Sequence, residues 1–359
     1  MDFYKNYNDL GKKTITTTRS EFTETIGEDG TRDIIKRVLL GGNVRDTTEF
    51  ITQRRLLNSY ASMLELFVNT FSGQDTQQQN DLKKYADSVI KELSTSKKDA
   101  KIFDLWLLGL TKKGFDNIAR GNLSEYRKSF EFSTKNAVAD FNEDFGQITG
   151  NLELNGKSVP LSWEVLSLML LAIGSQTLTL RGSSKSMNGK MFEKLVLGSI
   201  LTMIGFEFCS TLPKKIDPEN KIFWLSNMDE NERETDATIV YNNKAVSIDI
   251  GFIGKGNPEI TLDKVTRFEA YKRIGGIKHD MSTIIIVDTV ADHSDLFNKA
   301  KRVKGKVLQM KHEDWTIQFA NVLNNIFDLQ LELSDLHTDD LEKYFESHLK
   351  NIQISNFIN

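Results

Sequence analysis

Apolar residues recur at helical spacing through much of the first 145 positions. Ile34, Ile35, Val38 and Leu39 share one face of a segment, and Leu56, Leu57, Tyr60, Met63, Leu64 and Phe67 share one face of another. Lys101–Leu110 predicts a short buried helix, and Arg127–Phe145 a helix with a mixed polar–aromatic period. Gln74–Asn80 reads as a polar break. Residues 1–30, polar and rich in Thr and Gly, are expected to be loosely ordered before Thr31-Arg32-Asp33 opens a helix. Only four prolines interrupt the chain, so long helices meet little opposition. No spacing repeats.

The pattern changes after position 150. Asn151–Lys157 reads as a strand or hairpin ending in a turn, and Leu161–Ile173 as an apolar helix closed by Gly174. Residues 180–190 are a loop by composition, and a helix from about 189 ends at Gly205. Strand-like runs follow at Phe206–Thr211, Ile222–Leu225, Ala237–Tyr241, Ala245–Phe252 and Thr283–Val287. Helical patterns at Glu259–Ile274 and Asp295–Phe327 interleave with them. Such an order predicts an α/β (α+β) fold: a mixed β-sheet core flanked by helices, with a largely helical N-terminal region. Three domains are expected. Residues 1–155 form a helical region, 156–329 the core, and 330–359 an acidic helical tail. Asp328–Glu346 carries seven acids against one lysine and is expected to be a solvated helix.

The chemistry concentrates around Asn242-Asn243, a pair that tolerates the positive φ of a tight hairpin turn. With those two as the loop, Tyr241 faces Lys244, Ile239 faces Val246, and Asp236 faces Asp249. Opposed residues share a face, with Cβ atoms roughly 4.5–5.5 Å apart. Like charges that close call for a cation between them, and hard oxygen ligands suit Mg²⁺. The plainer alternative has Asp236 capping its strand in solvent and Asp249 paired with a lysine. A third acid, Glu193, lies among Phe192, Leu195, Val196 and Leu197 of a helix apolar nearly all round, where a carboxylate needs a partner.

A helix bearing an acid, an Asp at a hairpin's start and an acid on its return strand resembles the PD-(D/E)XK nuclease superfamily. More narrowly, Arg181–Glu193 and Ser247–Glu269 resemble stretches of type II restriction endonucleases. The resemblance covers about residues 160–310. It implies that Glu193, Asp236 and Asp249 are metal ligands and catalytic acids, and that the protein cuts double-stranded DNA with Mg²⁺, leaving 5′-phosphate ends. It also implies a homodimer on a palindromic site. One position departs from the pattern. The family's lysine belongs two residues after the second acid, where this chain has Gly251. Lys255, in a Gly-rich loop, and Lys264, in the first turns of the expected helix, are the substitutes, and a helix fixes a side chain better.

Overall charge at first argues against DNA: 46 Lys+Arg against 50 Asp+Glu give a formal net charge of −4. Local charge reverses that reading. Residues 299–311 carry six positive charges and no acid. Arg181, Lys185, Lys190 and Lys194 surround one Glu, and residues 255–278 hold six positives against three acids. Arg181, Ser183, Ser184, Lys185, Ser186 and Lys190 are candidate phosphate contacts on a loop feeding a helix N-terminus. Arg267 and Lys272 on the expected helix, with Lys304 and Lys306 in the basic stretch, are candidates for base readout. Arg45, Arg54 and Arg55 serve DNA or a dimer surface.

A single cysteine, Cys209, excludes a disulfide framework and fits a reducing compartment. The amino terminus lacks the order of a signal peptide, and the longest apolar run, Leu166–Ile173, is too short to span a bilayer. A soluble cytoplasmic protein is expected. The five histidines show no metalloprotease spacing, and no nucleotide-binding loop is present. A repair or junction-resolving nuclease of the same fold, or a non-catalytic DNA-binding protein that kept it, are the alternative readings.

Overall fold

Buried apolar faces organise the chain into two compact units, one of residues 1–18 and 49–185 and the other of 19–48 and 186–359. The computed structural model describes residues 3–16, 18–74, 81–119, 122–211, 216–226, 235–252, 271–274, 277–289 and 305–358. Its helices of eight or more residues, with one short opening helix, are α1 (Phe3–Asn6), α2 (Asp9–Thr16), α3 (Arg19–Leu39), α4 (Val44–Phe71), α5 (Leu82–Leu93), α6 (Lys98–Leu107), α7 (Leu123–Phe145), α8 (Trp163–Met203), α9 (Trp315–Phe327) and α10 (Leu341–Leu349). Its strands are β1 (Asn151–Leu154), β2 (Lys157–Pro160), β3 (Glu207–Phe208), β4 (Ile222–Leu225), β5 (Ala237–Tyr241), β6 (Lys244–Gly251), β7 (Tyr271–Ile274), β8 (Ile277–Val287) and β9 (Gly305–Gln309). The α/β class and the helical N-terminal region expected from the sequence are both present.

The first unit is helical apart from one hairpin. Its core gathers Met63, Phe67, Val89, Phe103, Trp106 and Leu168. Among the described residues, 3–16 and 18–30 are not loosely ordered: α1, α2 and the start of α3 occupy them. Two aromatic anchors overcome the polar composition in α1 and just after it. The Phe3 ring meets Tyr85 at 5.8 Å and Tyr7 meets Phe103 at 4.6 Å. Each aromatic buries enough apolar area to hold a short helix in place. Asn122 caps α7, accepting from Glu125 N–H at 3.2 Å while its own amide donates to the Glu125 carboxylate at 2.9 Å. The β1–β2 turn is Asn155-Gly156, both at positive φ (52° and 73°), as a two-residue hairpin loop demands.

The helix of 161–173 and the helix from 189 are one element. α8 runs unbroken through the residues read as a loop, and its first part, to Lys185, belongs to the first unit. Composition misleads here because the polar groups bond along the helix. Thr177 Oγ1 donates to Ile173 O at 2.6 Å, Thr179 Oγ1 to Ser175 O at 2.9 Å, and Ser183 Oγ to Leu180 O at 3.1 Å. Joined in this way, α8 is long and apolar enough, by length and composition alone, to cross a membrane, a test that the core helix of a soluble protein also passes.

The second unit is built on a seven-stranded mixed sheet in the order β3-β4-β5-β6-β8-β7, with β9 also paired to β8. β6 and β8 are parallel, Lys244↔Asp280 through Gly251↔Val287. The far edge of β8 pairs antiparallel with β7 at its start and parallel with β9 at its end. Two expected helices are therefore corrected at their ends. Tyr271–Ile274 is strand β7, and Gly305–Gln309 is strand β9, followed by a helix from Trp315; residues 259–270 and 295–304 lie outside the described residues. A short apolar run beside a parallel strand cannot be told from a buried helix by period. The acidic tail is not a solvated helix either. Leu331, Leu333, Leu341, Tyr344, Phe345 and Leu349 are buried, and α10 is a helix of nine residues. Arg32 closes over this tail, donating to Leu349 O at 3.1 Å and Ile352 O at 3.2 Å.

Candidate active site

The β5–β6 hairpin follows the expected register, from Tyr241↔Lys244 to Ala237↔Ile248. Asn242 and Asn243 hold the turn at φ 48° and 57°. The pairing ends at Ala237↔Ile248, one step short of Asp236 and Asp249. Asp236 is tied to the return strand directly, because its Oδ2 accepts the Ile250 N–H at 2.8 Å. Its own carbonyl accepts from Ser226 N at 3.1 Å, so the strand entrance is fixed from both sides.

Strand pleating sorts the neighbours. Ile239, Val246, Ile248 and Ile250 turn to one face and are fully buried. Asp249 turns to the other, on the same face as Ser247, Thr238 and, across the parallel ladder, Thr283 and Ile285. Asp249 is 3% exposed, Thr283 4% and Thr238 9%, so this face is both buried and polar. Thr238 Oγ1 lies 3.2 Å from Thr235 Oγ1, a hydroxyl pair next to the Asp236 carboxylate in sequence. The two threonines on the acid face were missed in the sequence, though the alternation of apolar and polar residues on β5, β6 and β8 carried the signal.

The donor set fits a divalent cation. Carboxylate oxygens are hard ligands, and Mg²⁺ is held by one or two carboxylates while keeping several waters. Among the described residues no three His, Cys, Asp or Glu gather as a metal-holding group. The pair Asp236/Asp249 thus stands without Glu193 as a third member of such a group. Glu193 sits half-buried on α8, next to Lys194, which is 8% exposed.

The remaining candidates scatter. Lys255, Lys264, Arg267 and Lys304 lie outside the described residues. Lys272 stands on β7, a strand and not the expected helix. Lys306 is exposed on β9, and the pleat sends it to the face opposite Asp249. Gly251 ends β6 opposite Val287, which pairs in turn with Gln309, so Gln309 shares the acid face. No helix N-terminus exists near Ser183–Ser186, since these residues are inside α8. Arg181 pairs with Glu49 at 3.0 Å, while Lys185, Ser186 and Lys190 are exposed. Ser183 and Ser184 accept from Arg55 Nη1 at 3.1 and 2.8 Å. Arg55 also donates from Nε and Nη2 to Thr14 O, and burial pulls its guanidinium down to about 10.

Comparison with known proteins shows the family of the chain. The chain matches the family model described as CfrBI restriction endonuclease over residues 28–295. That span takes in helical segments from α3 onward and strands β1 to β8. The chain is also 34% identical to the type II restriction enzyme CfrBI of Citrobacter freundii, over 345 residues covering 95% of this chain and 94% of that one. No solved structure matches.

Proposed function

The chain belongs to the CfrBI restriction endonuclease family, a site-specific deoxyribonuclease family, and from that premise we propose that Asp236 and Asp249 form its cleavage centre. What carries the reading is the buried Asp249 carboxylate on a polar sheet face, with Asp236 tied to the same strand by the Ile250 N–H. Mg²⁺ held by the pair would polarise the phosphodiester and offset the charge that builds on it. The protein's own part is to present Asp236 and Asp249 from a hairpin whose turn and register admit little movement. Glu193 is proposed to orient water from α8.

Hydrolysis adds a water oxygen to phosphorus in line and breaks the bond to the 3′-oxygen, which takes up a proton. The products are a 5′-phosphate and a 3′-hydroxyl. A cation near the attacking water favours its deprotonated form, the task the lysine would perform in place of Gly251. Lys264, and otherwise Lys255, is proposed for it. Lys190, Arg267, Lys272, Lys304 and Lys306 are proposed to meet DNA, with phosphate contacts giving a salt-dependent affinity. A homodimer in the cytoplasm, reading a palindromic double-stranded site, completes the proposal.

Asp236→Ala and Asp249→Ala should each slow cleavage by at least about 10²–10³-fold in Mg²⁺ while site-specific DNA binding, measured without metal, persists. Full cleavage by both variants sinks the assignment. Digestion of a phage genome by the wild-type protein, followed by sequencing of the fragment ends, reports the site and the cut position together.

A further inference from the structure

The first part of α8 shows solvent an apolar face that nothing in the first unit covers. Leu170 is 60% exposed, Leu171 41% and Leu178 69%. At 100° per residue these leucines and Gly174 fall within an arc of about 100°. No atom stands within 4 Å of where a Cβ on Gly174 would be, so the helix surface is notched there. Beside Leu170 and Leu171 opens a cleft of about 510 Å³, walled on the other side by Phe130 and Phe141 of α7.

We propose that this face binds a second copy of the chain, α8 against α8, antiparallel about a two-fold axis at Gly174. The sequence of the face matches itself under that operation. Leu170 and Leu178 stand four residues either side of Gly174, so Leu178 of the second copy meets Leu170 and the mouth of the cleft, and the reverse contact forms at the same time. An isologous interface requires this reciprocity. Charge selects the same direction. Glu164, flanking the arc near the start of the helix, and Lys185 at the arc's far end are 21 residues apart, about 32 Å along the helix. Antiparallel pairing brings the acid end of one copy to the basic end of the other, whereas parallel pairing would set like charges together. An unrelated partner would have no reason to match this spacing.

The surface adds to the dimer of the proposed function, and its test needs neither DNA nor metal, so failure here leaves the Asp236/Asp249 assignment standing. Sedimentation of the full chain at micromolar concentration should give a dimer. Leu178→Glu, an exposed position that leaves the core intact, should raise the dimer dissociation constant at least 100-fold. In a Cys209→Ser background, Gly174→Cys meets its own copy and should oxidise to a disulfide dimer, which needs Cα atoms within about 7 Å. Leu57→Cys, 65% exposed on α4, serves as the control and should form no disulfide cross-link under oxidation. A monomeric wild-type protein, an undiminished Leu178→Glu dimer, or Gly174→Cys cross-linking no faster than Leu57→Cys overturns the proposal. So does flotation of the wild-type protein, but not Leu178→Glu, with phosphatidylglycerol vesicles, which would make a membrane the occupant.

Discussion

The two units bury polar groups for different ends. In the helical unit, several buried or half-buried donors meet neutral partners distant in sequence. Gln176 Nε2 donates to Tyr7 OH at 3.0 Å, Trp106 Nε1 to Thr179 Oγ1 at 3.0 Å, and Arg55 spends its donors on Thr14, Ser183 and Ser184. These bonds hold helices together and leave little capacity for a ligand. In the sheet unit, by contrast, Asp249, Thr238 and Thr283 share one face, and the bond to Asp236 comes from the strand that carries Asp249. A pair of carboxylates there costs stability in the absence of a cation. Under the proposed function, the contrast separates polar groups that serve the fold from polar groups that serve the reaction.

Asp249→Asn tests that contrast most severely. It removes one charge while keeping shape, so cleavage should fall by about 10²-fold or more. Thermal stability without metal should hold or rise, by roughly 0–1 kcal/mol, as a like-charge contact is relieved. A loss of several kcal/mol would make the carboxylate part of the fold and erase the distinction. Arg55→Ala should show the opposite pattern. It leaves Thr14 O and the buried Ser184 hydroxyl short of a donor, at a cost of about 2–3 kcal/mol in denaturant unfolding. Cleavage well below the melting temperature should stay near the wild-type rate. If the salt slope of DNA affinity changes instead, Arg55 contacts phosphate and belongs with the site.

The same contrast explains what was legible in the sequence. The Asp236/Asp249 register could be counted outward from Asn242-Asn243, because a two-residue turn fixes every later pair. The strands β4 and β5 were bounded correctly for a related reason: a dense β-branched and aromatic run between turn residues has few other uses. Residues 180–190 were misread because Gly and Ser signal loops only when their hydrogen bonds leave the helix. Here Ser183 bonds back to Leu180 and forward to Arg55, a residue 128 positions away that no local window contains. Phe3 and Tyr7 were passed over for the same kind of reason. Their partners Tyr85 and Phe103 are distant in sequence, so isolated aromatics in a polar stretch gave no period. β9 was lost inside a basic run whose charges drew attention from Val307 and Leu308.

The smallest effect is expected where charge is plentiful but exposed. Lys36 Nζ lies 2.6 Å from Glu346 and 3.3 Å from Glu342, with both carboxylates largely in solvent. The hydrogen bond to Glu346 raises the Lys36 ammonium above its ordinary value, and Lys36 holds the Glu346 carboxyl below the usual range. For Glu346 the depressed value means that any stabilisation is present at neutral pH and lost as pH falls through it. For Lys36 the raised value means that stabilisation persists at neutral pH and disappears at alkaline pH. Between those limits the pair contributes a flat plateau, and salt screens it. Lys36→Met should therefore leave the melting temperature at pH 7 and 0.5 M salt unchanged within measurement. A downward shift larger than that of Arg55→Ala would show that exposed charge, and not buried hydrogen bonding, holds these units together, and would reverse the ranking drawn between them.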